Sequence, residues 1–237
     1  MSKELGALVI AAASIGFFHT LFGPDHYLPF IMMSWAKKWS GLKTALITFL
    51  CGLGHIGSSV VLGFIGISLG LAIKSLVNVE SVRGSLAAWL LIAFGLVYMV
   101  WGIRQAIRNK PHEHSHAHAG KFFHKHVHTH ESGHIHVHDE EGSVSMTPWV
   151  LFVIFIFGPC EPLIPLLMYP AAENSLSGLL LITGVFGAIT ISTMLAAVLF
   201  ARAGINLLPL KKVQRFSHLI AGTSIFLCGL AIQFLGL

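Results

Sequence analysis

Charge is absent from this chain in long blocks, and that absence decides what it can fold into. No Asp, Glu, Lys or Arg occurs in Leu5–Pro24, Thr44–Ile73, Gly84–Ile103, Gly142–Cys160, Asn174–Ala201 or Phe216–Leu237. Each block is close to or beyond the roughly 20 apolar residues that cross a bilayer as helix. The first continues past Asp25 to Trp35 and the fourth past Glu161 to Met168, so both read as spans interrupted by a polar site. A large soluble core would need amphipathic helices around such blocks, and none is evident. The expected fold class is therefore all-α, a polytopic membrane protein with six transmembrane helices. Composition agrees: 11% of residues are charged, against about a quarter in soluble domains.

Six spans put the odd-numbered loops on one side and the even loops and both termini on the other. The first loop holds Lys37, Lys38 and Lys43, the third Arg104, Arg108, Lys110, Lys121 and Lys125, and the fifth Arg202, Lys211, Lys212 and Arg215. Only Lys3, Lys74 and Arg83 fall on the opposite side. Basic residues collect in cytoplasmic loops, which places the odd loops in the cytoplasm and both termini outside an inner or plasma membrane. The same distribution accounts for the pI of about 9.3 without a nucleic-acid partner. The first span lacks a strong basic leader and a cleavage site before its polar motif, and reads as retained.

The chain also repeats itself. Phe22-Gly23-Pro24-Asp25-His26 matches Phe157-Gly158-Pro159-Cys160-Glu161 at an offset of 135 residues. Gly95-Leu96 with Gly102 matches Gly229-Leu230 with Gly236 at 134. A three-helix unit repeated once inserts the second time upside down, because three is odd. The expectation is a 3+3 inverted repeat, with helices one and four broken at Gly-Pro: residues 1–107, a polar loop over 108–146, and residues 147–237. Freed backbone groups at such breaks survive at membrane depth only where they line a cavity or meet protein. Inverted halves with broken helices are a plan used by secondary transporters.

Asp25 and Glu161 are the only carboxylates within these expected spans, at neighbouring positions of the two repeats. Ionisable residues inside a membrane are costly and usually face an interior pathway. His26 adjoins Asp25, His19 lies seven residues earlier, and His55 lies in the second span. In an intact helix His19 and His26 would stand about 10.5 Å apart along the axis. Unwinding at Gly23-Pro24 could bring them together. His19, Asp25, His26 and His55 form a donor set suited to Ni(II), Co(II), Zn(II) or Cu(II). Cys160 and Glu161 are further candidates, as ligands or as a proton path. Ser58, Ser59, Thr190, Ser192 and Thr193 are weaker candidates to line the same cavity, since hydroxyl residues commonly serve helix packing.

His19-Thr20-Leu21-Phe22-Gly23-Pro24-Asp25-His26, followed by Gly52-Leu53-Gly54-His55, resembles the nickel/cobalt transporter superfamily, nearest its small branch of urease-accessory-type nickel permeases and nickel/cobalt efflux proteins. The resemblance covers spans one and two best. It implies that His19, Asp25 and His26 belong to the metal-selecting signature and His55 to the histidine of the next helix. One departure matters: five residues separate His19 from Asp25, one more than high-affinity importers typically have.

Between spans three and four the membrane pattern disappears and histidine takes over. His112, His114, His116 and His118, then His124, His126, His128 and His130, then His134, His136 and His138 alternate with other residues. Glycine, proline and charge there favour disorder. Neutral imidazole binds borderline divalent metals and protonation near pH 6.5 releases them, so the expectation is a cytoplasmic metal-buffering or sensing loop.

The function these features point to is secondary transport of Ni(II) or Co(II), as substrate, through the intramembrane His/Asp site. The partners expected are the metal ion and the lipid bilayer; no enzymatic activity and no resident cofactor are expected. Direction stays open, the His-rich loop leaning to efflux. Zinc is the main alternative substrate. A transmembrane thiol oxidoreductase would need a second cysteine for Cys160, whose repeat equivalent is Asp25. An oxyanion exporter would place its substrate beside two carboxylates. No nucleotide-binding glycine loop is evident, so ATP hydrolysis would need another subunit.

Overall fold

The computed structural model describes residues 3–108, 146–173, 175–208 and 213–236, together with the backbone of 112–117 and 123–128. The body is helical: α1 (Lys3–Phe22), α2 (Leu28–Ala36), α3 (Gly41–Ser68), α4 (Ile73–Arg108), α5 (Met146–Phe157), α6 (Leu163–Ala172), α7 (Leu176–Leu207) and α8 (Ser217–Leu235). Among the described residues, five helices are long and apolar enough to cross a membrane: α1, α3, α4, α7, and α8 with the turn that precedes it. The fourth expected span is split. Its α5 has 12 residues, about 18 Å of helix at 1.5 Å per residue, and α6 continues beyond the break at 158–162. Large apolar side chains such as Ile10, Phe22, Leu42, Val97, Phe200 and Phe234 face outward. That outward apolar coat belongs to an integral membrane protein, whose helices meet lipid rather than water.

Local chemistry sets the helix ends. Ser40 and Ser175 cap α3 and α7, their hydroxyls accepting from the N–H groups of Lys43 (3.2 Å) and Gly178 (3.1 Å). Gly236 ends α8 in the left-handed conformation, φ 69°, where glycine carries no Cβ penalty. One boundary differs from the sequence expectation. Lys74 and Arg83 were placed in an external loop, but α4 starts at Ile73 and runs for 36 residues through both. It also carries Glu80, so Asp25 and Glu161 are not the only carboxylates in the helical body.

The packing interleaves the two halves of the chain. α1 lies on α7, α5 on α3, and the most extensive contact joins α4 to α8. There the helices run antiparallel with backbones nearly touching. A Cβ on Gly95 would lie 2.4 Å from Phe226 N, one on Gly102 2.5 Å from Leu219 N, and one on Gly222 2.3 Å from Met99 N. Small residues at a membrane helix interface allow this approach, which gains dispersion contact where no hydrophobic effect acts. Two apolar clusters flank the broken helices. One, with Phe30, Met33, Trp39, Leu151, Met194 and Ile225, lies towards the end carrying Lys37, Lys38 and Arg202. The other gathers Ala12, Ile56, Cys160, Leu163, Ile182 and Phe186.

The sequence favours disorder between α4 and α5. The described backbone there includes two strands, β1 (His112–Ala117) and β2 (Phe123–His128), paired antiparallel with His112 opposite His128, His114 opposite His126 and His116 opposite His124. His118, His130, His134, His136 and His138 lie outside the described residues.

Candidate metal centre at the first helix break

The first break follows from its residues. The last α-helical bond of α1 runs from Gly23 N to His19 O (3.0 Å). Pro24 has no N–H to continue the ladder. A 3-10 turn over Pro24–His26 replaces it, closed by His26 N–H donating to Gly23 O (3.1 Å) and Tyr27 N–H to Pro24 O (3.3 Å). The Tyr27 hydroxyl reaches back to the carbonyl of Leu21 at 3.3 Å. Glycine is required at 23 for space: a Cβ there would lie 2.6 Å from His26 Nδ1 and 2.9 Å from Asp25 Oδ1.

This turn does what the spacing argument asked of it. The His19 and His26 rings come to 4.7 Å between centroids, and His55 from α3 stands 5.1 Å from His26. One ligand atom from each lies within 4.8 Å of the others, with His26 and His55 buried and His19 half-buried. Among the described residues, the Nε2 atoms of His19, His26 and His55 are buried without a hydrogen-bond partner. An unsatisfied buried polar group costs about 1–3 kcal/mol. Three such nitrogens, one from each ring, converging in one place are a poor arrangement for packing alone and a good one for gripping a cation.

Asp25 plays a different part. Its Oδ1 lies 3.0 Å from His26 Nδ1, and the Gly23 carbonyl lies 3.2 Å from the same nitrogen. Both neighbours are acceptors, so the proton belongs on Nδ1 and the Nε2 lone pair is free for a ligand. A carboxylate behind a histidine fixes its tautomer and raises its basicity. Asp25, expected among the ligands, orients His26 and also lines the cavity.

That cavity, about 920 Å³, is lined by His19, Asp25, His26 and His55, by Ser81–Leu91 residues of α4, and by Ile232, Gln233 and Gly236 of α8. Glu161 lines it as well. Cys160 does not join the imidazoles; it is fully buried in the second apolar cluster. Ser58, Ser59, Thr190, Ser192 and Thr193 are not on the cavity wall. Ser58 donates to the His55 carbonyl (2.8 Å) and Thr193 to that of Ile189 (2.8 Å).

The second break is built from other materials. Gly158 N–H closes α5 against Ile154 O and Phe155 O, both 3.1 Å. A Cβ on Gly158 would lie 2.8 Å from His55 Nδ1, so this glycine forms a wall against that imidazole. Glu80 is fully buried and accepts from Cys160 N–H (3.2 Å) and the Ser59 hydroxyl (3.3 Å). Arg83 pairs with Glu80 and donates to Ser58 Oγ (2.6 Å), Ile156 O (2.8 Å) and Gly158 O (3.4 Å). Sequence reading missed this pair. Its trace was there: two opposite charges three residues apart share a helix face.

Comparison with protein-family models, with curated proteins and with solved structures found no match.

Proposed function

We infer that the chain is a secondary transporter of divalent transition-metal cations, with Ni(II) or Co(II) as substrate. The observation that carries this reading is the convergence of three imidazoles with unpartnered nitrogens on a broken membrane helix, one of them oriented by Asp25. Imidazole donors suit Ni, Co, Zn and Cu. The resemblance of the His19–His26 motif to nickel/cobalt transporters favours the first two.

The six-span inverted repeat fits the packing. Under an offset of 134, the contact between Gly95 and Phe226 maps onto one between Ile92 and Gly229. A Cβ on Gly229 would lie 2.8 Å from Ile92. This correspondence within the antiparallel α4–α8 pair supports the reading of two inverted halves. The cavity lies along the first half of α4 and the end of α8. The basic residues Lys37, Lys38, Lys43, Arg104, Arg108 and Arg202 sit at the opposite helix ends. The positive-inside rule then makes the cavity an exterior-facing vestibule, with the Phe30–Phe155 contact (4.6 Å between ring centroids) on its cytoplasmic side. A cytoplasmic His-rich loop favours export.

Metal flux into proteoliposomes, comparing Ni(II), Co(II) and Zn(II) with and without a pH gradient, tests this. Nickel and cobalt are expected to move, and a chain lacking residues 112–138 is expected to keep the path while changing its capacity or regulation. Zinc moving alone would transfer the reading to a zinc carrier; no flux of any of the three would end it.

A further inference from the structure

We propose that Arg83, anchored by Glu80, is a positioning residue for the third imidazole of the metal centre. It clamps the backbone at His55 and the backbone at Gly158 to one guanidinium. The inference rests on the transport reading, since it concerns the same site.

Arg83 Nη2 donates to Ser58 Oγ, and that hydroxyl in turn donates to the His55 carbonyl. The same nitrogen donates to Ile156 O and faces Gly158 O, the last carbonyls of α5 before the break. His55 is therefore tied through α3, and the glycine against its ring through α5, to a single planar group. A shift of either element by an ångström would open or close the gap between Gly158 and His55 Nδ1. The Phe155 carbonyl of α5 also reaches that ring, so the position of α5 bears on it twice. Lysine could not replace this arrangement, because the fork geometry of arginine is what reaches several acceptors at once.

Stability alone is a weak reason for such a pair. Two charges removed from water are costly, and replacing a buried pair with apolar groups is often neutral or stabilising. Glu80 adds a second tether on the same break by accepting from Cys160 N–H. Both halves of the pair thus end on break-two backbone, and through Ser58 and Ser59 on the turn of α3 that follows His55.

The test uses the full chain with its eleven loop histidines replaced by glutamine, so that Co(II) reports on the intramembrane site. Co(II) affinity, visible absorption and the number of nitrogen ligands by X-ray absorption are measured. Arg83→Gln is expected to weaken binding roughly ten- to hundredfold, the scale of losing an outer-shell partner, and to remove one nitrogen from the shell. Arg83→Lys should not restore it. In a His55→Ala background Arg83→Gln should cost less than about twofold, because its effect has already been spent. If the two losses multiply instead, or Arg83→Gln binds like the parent, the proposal is overturned. Ser58→Ala leaves both charges paired and decides the matter if Arg83→Gln does not fold. A several-fold loss that vanishes in the His55→Ala background supports the clamp, and unchanged affinity sinks it. His26→Ala separates the two readings. Parent-like binding there would remove the metal site itself, whereas loss there beside a silent Arg83→Gln removes only the clamp.

Discussion

The two helix breaks use one device for two purposes. Gly23-Pro24 and Gly158-Pro159 each stop a helix, and each glycine abuts an imidazole nitrogen, His26 Nδ1 in one case and His55 Nδ1 in the other. The first break carries its own imidazole and is closed by its own backbone and side chains, all within seven residues. The second contributes no imidazole and is held by Glu80 and Arg83, more than 70 residues away in the chain. At the repeat offset of 135, His19, Asp25, His26 and His55 correspond to Ile154, Cys160, Glu161 and Thr190. The two breaks thus differ in content: the first presents imidazoles to the cavity, and the second supplies a wall against one of them.

The sharpest way to break this comparison is to remove the ligand at the first break. His26→Ala deletes a donor nitrogen, and the loss should exceed the roughly ten- to hundredfold typical of an outer-shell partner. Flux should fall to background while the protein still inserts and gives a monodisperse detergent-solubilised peak. Normal flux would mean that the two breaks do not differ in the way described. Asp25→Asn should sit below it, within the outer-shell range, because the amide keeps the geometry behind His26 but not the charge.

A smaller effect distinguishes the two glycines. At Gly23 a new Cβ meets His26 Nδ1, Asp25 Oδ1 and the His19 carbonyl at 2.6, 2.9 and 3.0 Å, and the His26 ring is hydrogen-bonded in place. At Gly158 the nearest atom is His55 Nδ1 at 2.8 Å, on a ring with no side-chain hydrogen-bond partner among the described residues. Overpacking costs about 1–3 kcal/mol where neighbours cannot yield. Gly23→Ala should therefore lower the melting temperature and abolish Co(II) binding. Gly158→Ala should keep its stability better and weaken binding no more than Arg83→Gln does, roughly ten- to hundredfold, as His55 swings aside. Equal losses in both would show that the second break is as tightly determined as the first.

How much of this was legible follows from the kind of signal each residue leaves. The breaks and the His19–His26–His55 group were readable, because Gly-Pro and ionisable residues stand out against long uncharged blocks. Glu80 and Arg83 were not. A reading by charge-free windows begins the third span at Gly84, and so assigns to a loop two charges that the helix carries, one of them fully buried. Asp25 was legible as a carboxylate at the break, but its contact with His26 was not, since a sequence does not say which side of a carboxylate its neighbour's Nδ1 occupies. The antiparallel glycine contact of α4 and α8 was visible only as a repeat, because close approach depends on which helix faces which.

Cys160 gives the smallest effect and the finest test of the asymmetry. Its position matches Asp25 in the repeat, which made it a candidate ligand, but its side chain is packed with Ala12, Ile56 and Leu163 rather than among the imidazoles. What it gives the break is its backbone N–H, donated to Glu80. Serine keeps that N–H and nearly the same volume. Cys160→Ser puts a hydroxyl into an apolar cluster, which costs about 1–3 kcal/mol in stability. Co(II) affinity should nonetheless stay within about twofold of the parent, under about 0.5 kcal/mol. Thermal unfolding and Co(II) titration on one preparation separate the two quantities. A large loss of affinity with unchanged stability would put the sulfur in the coordination shell and restore to the second break the ligand that its geometry denies it.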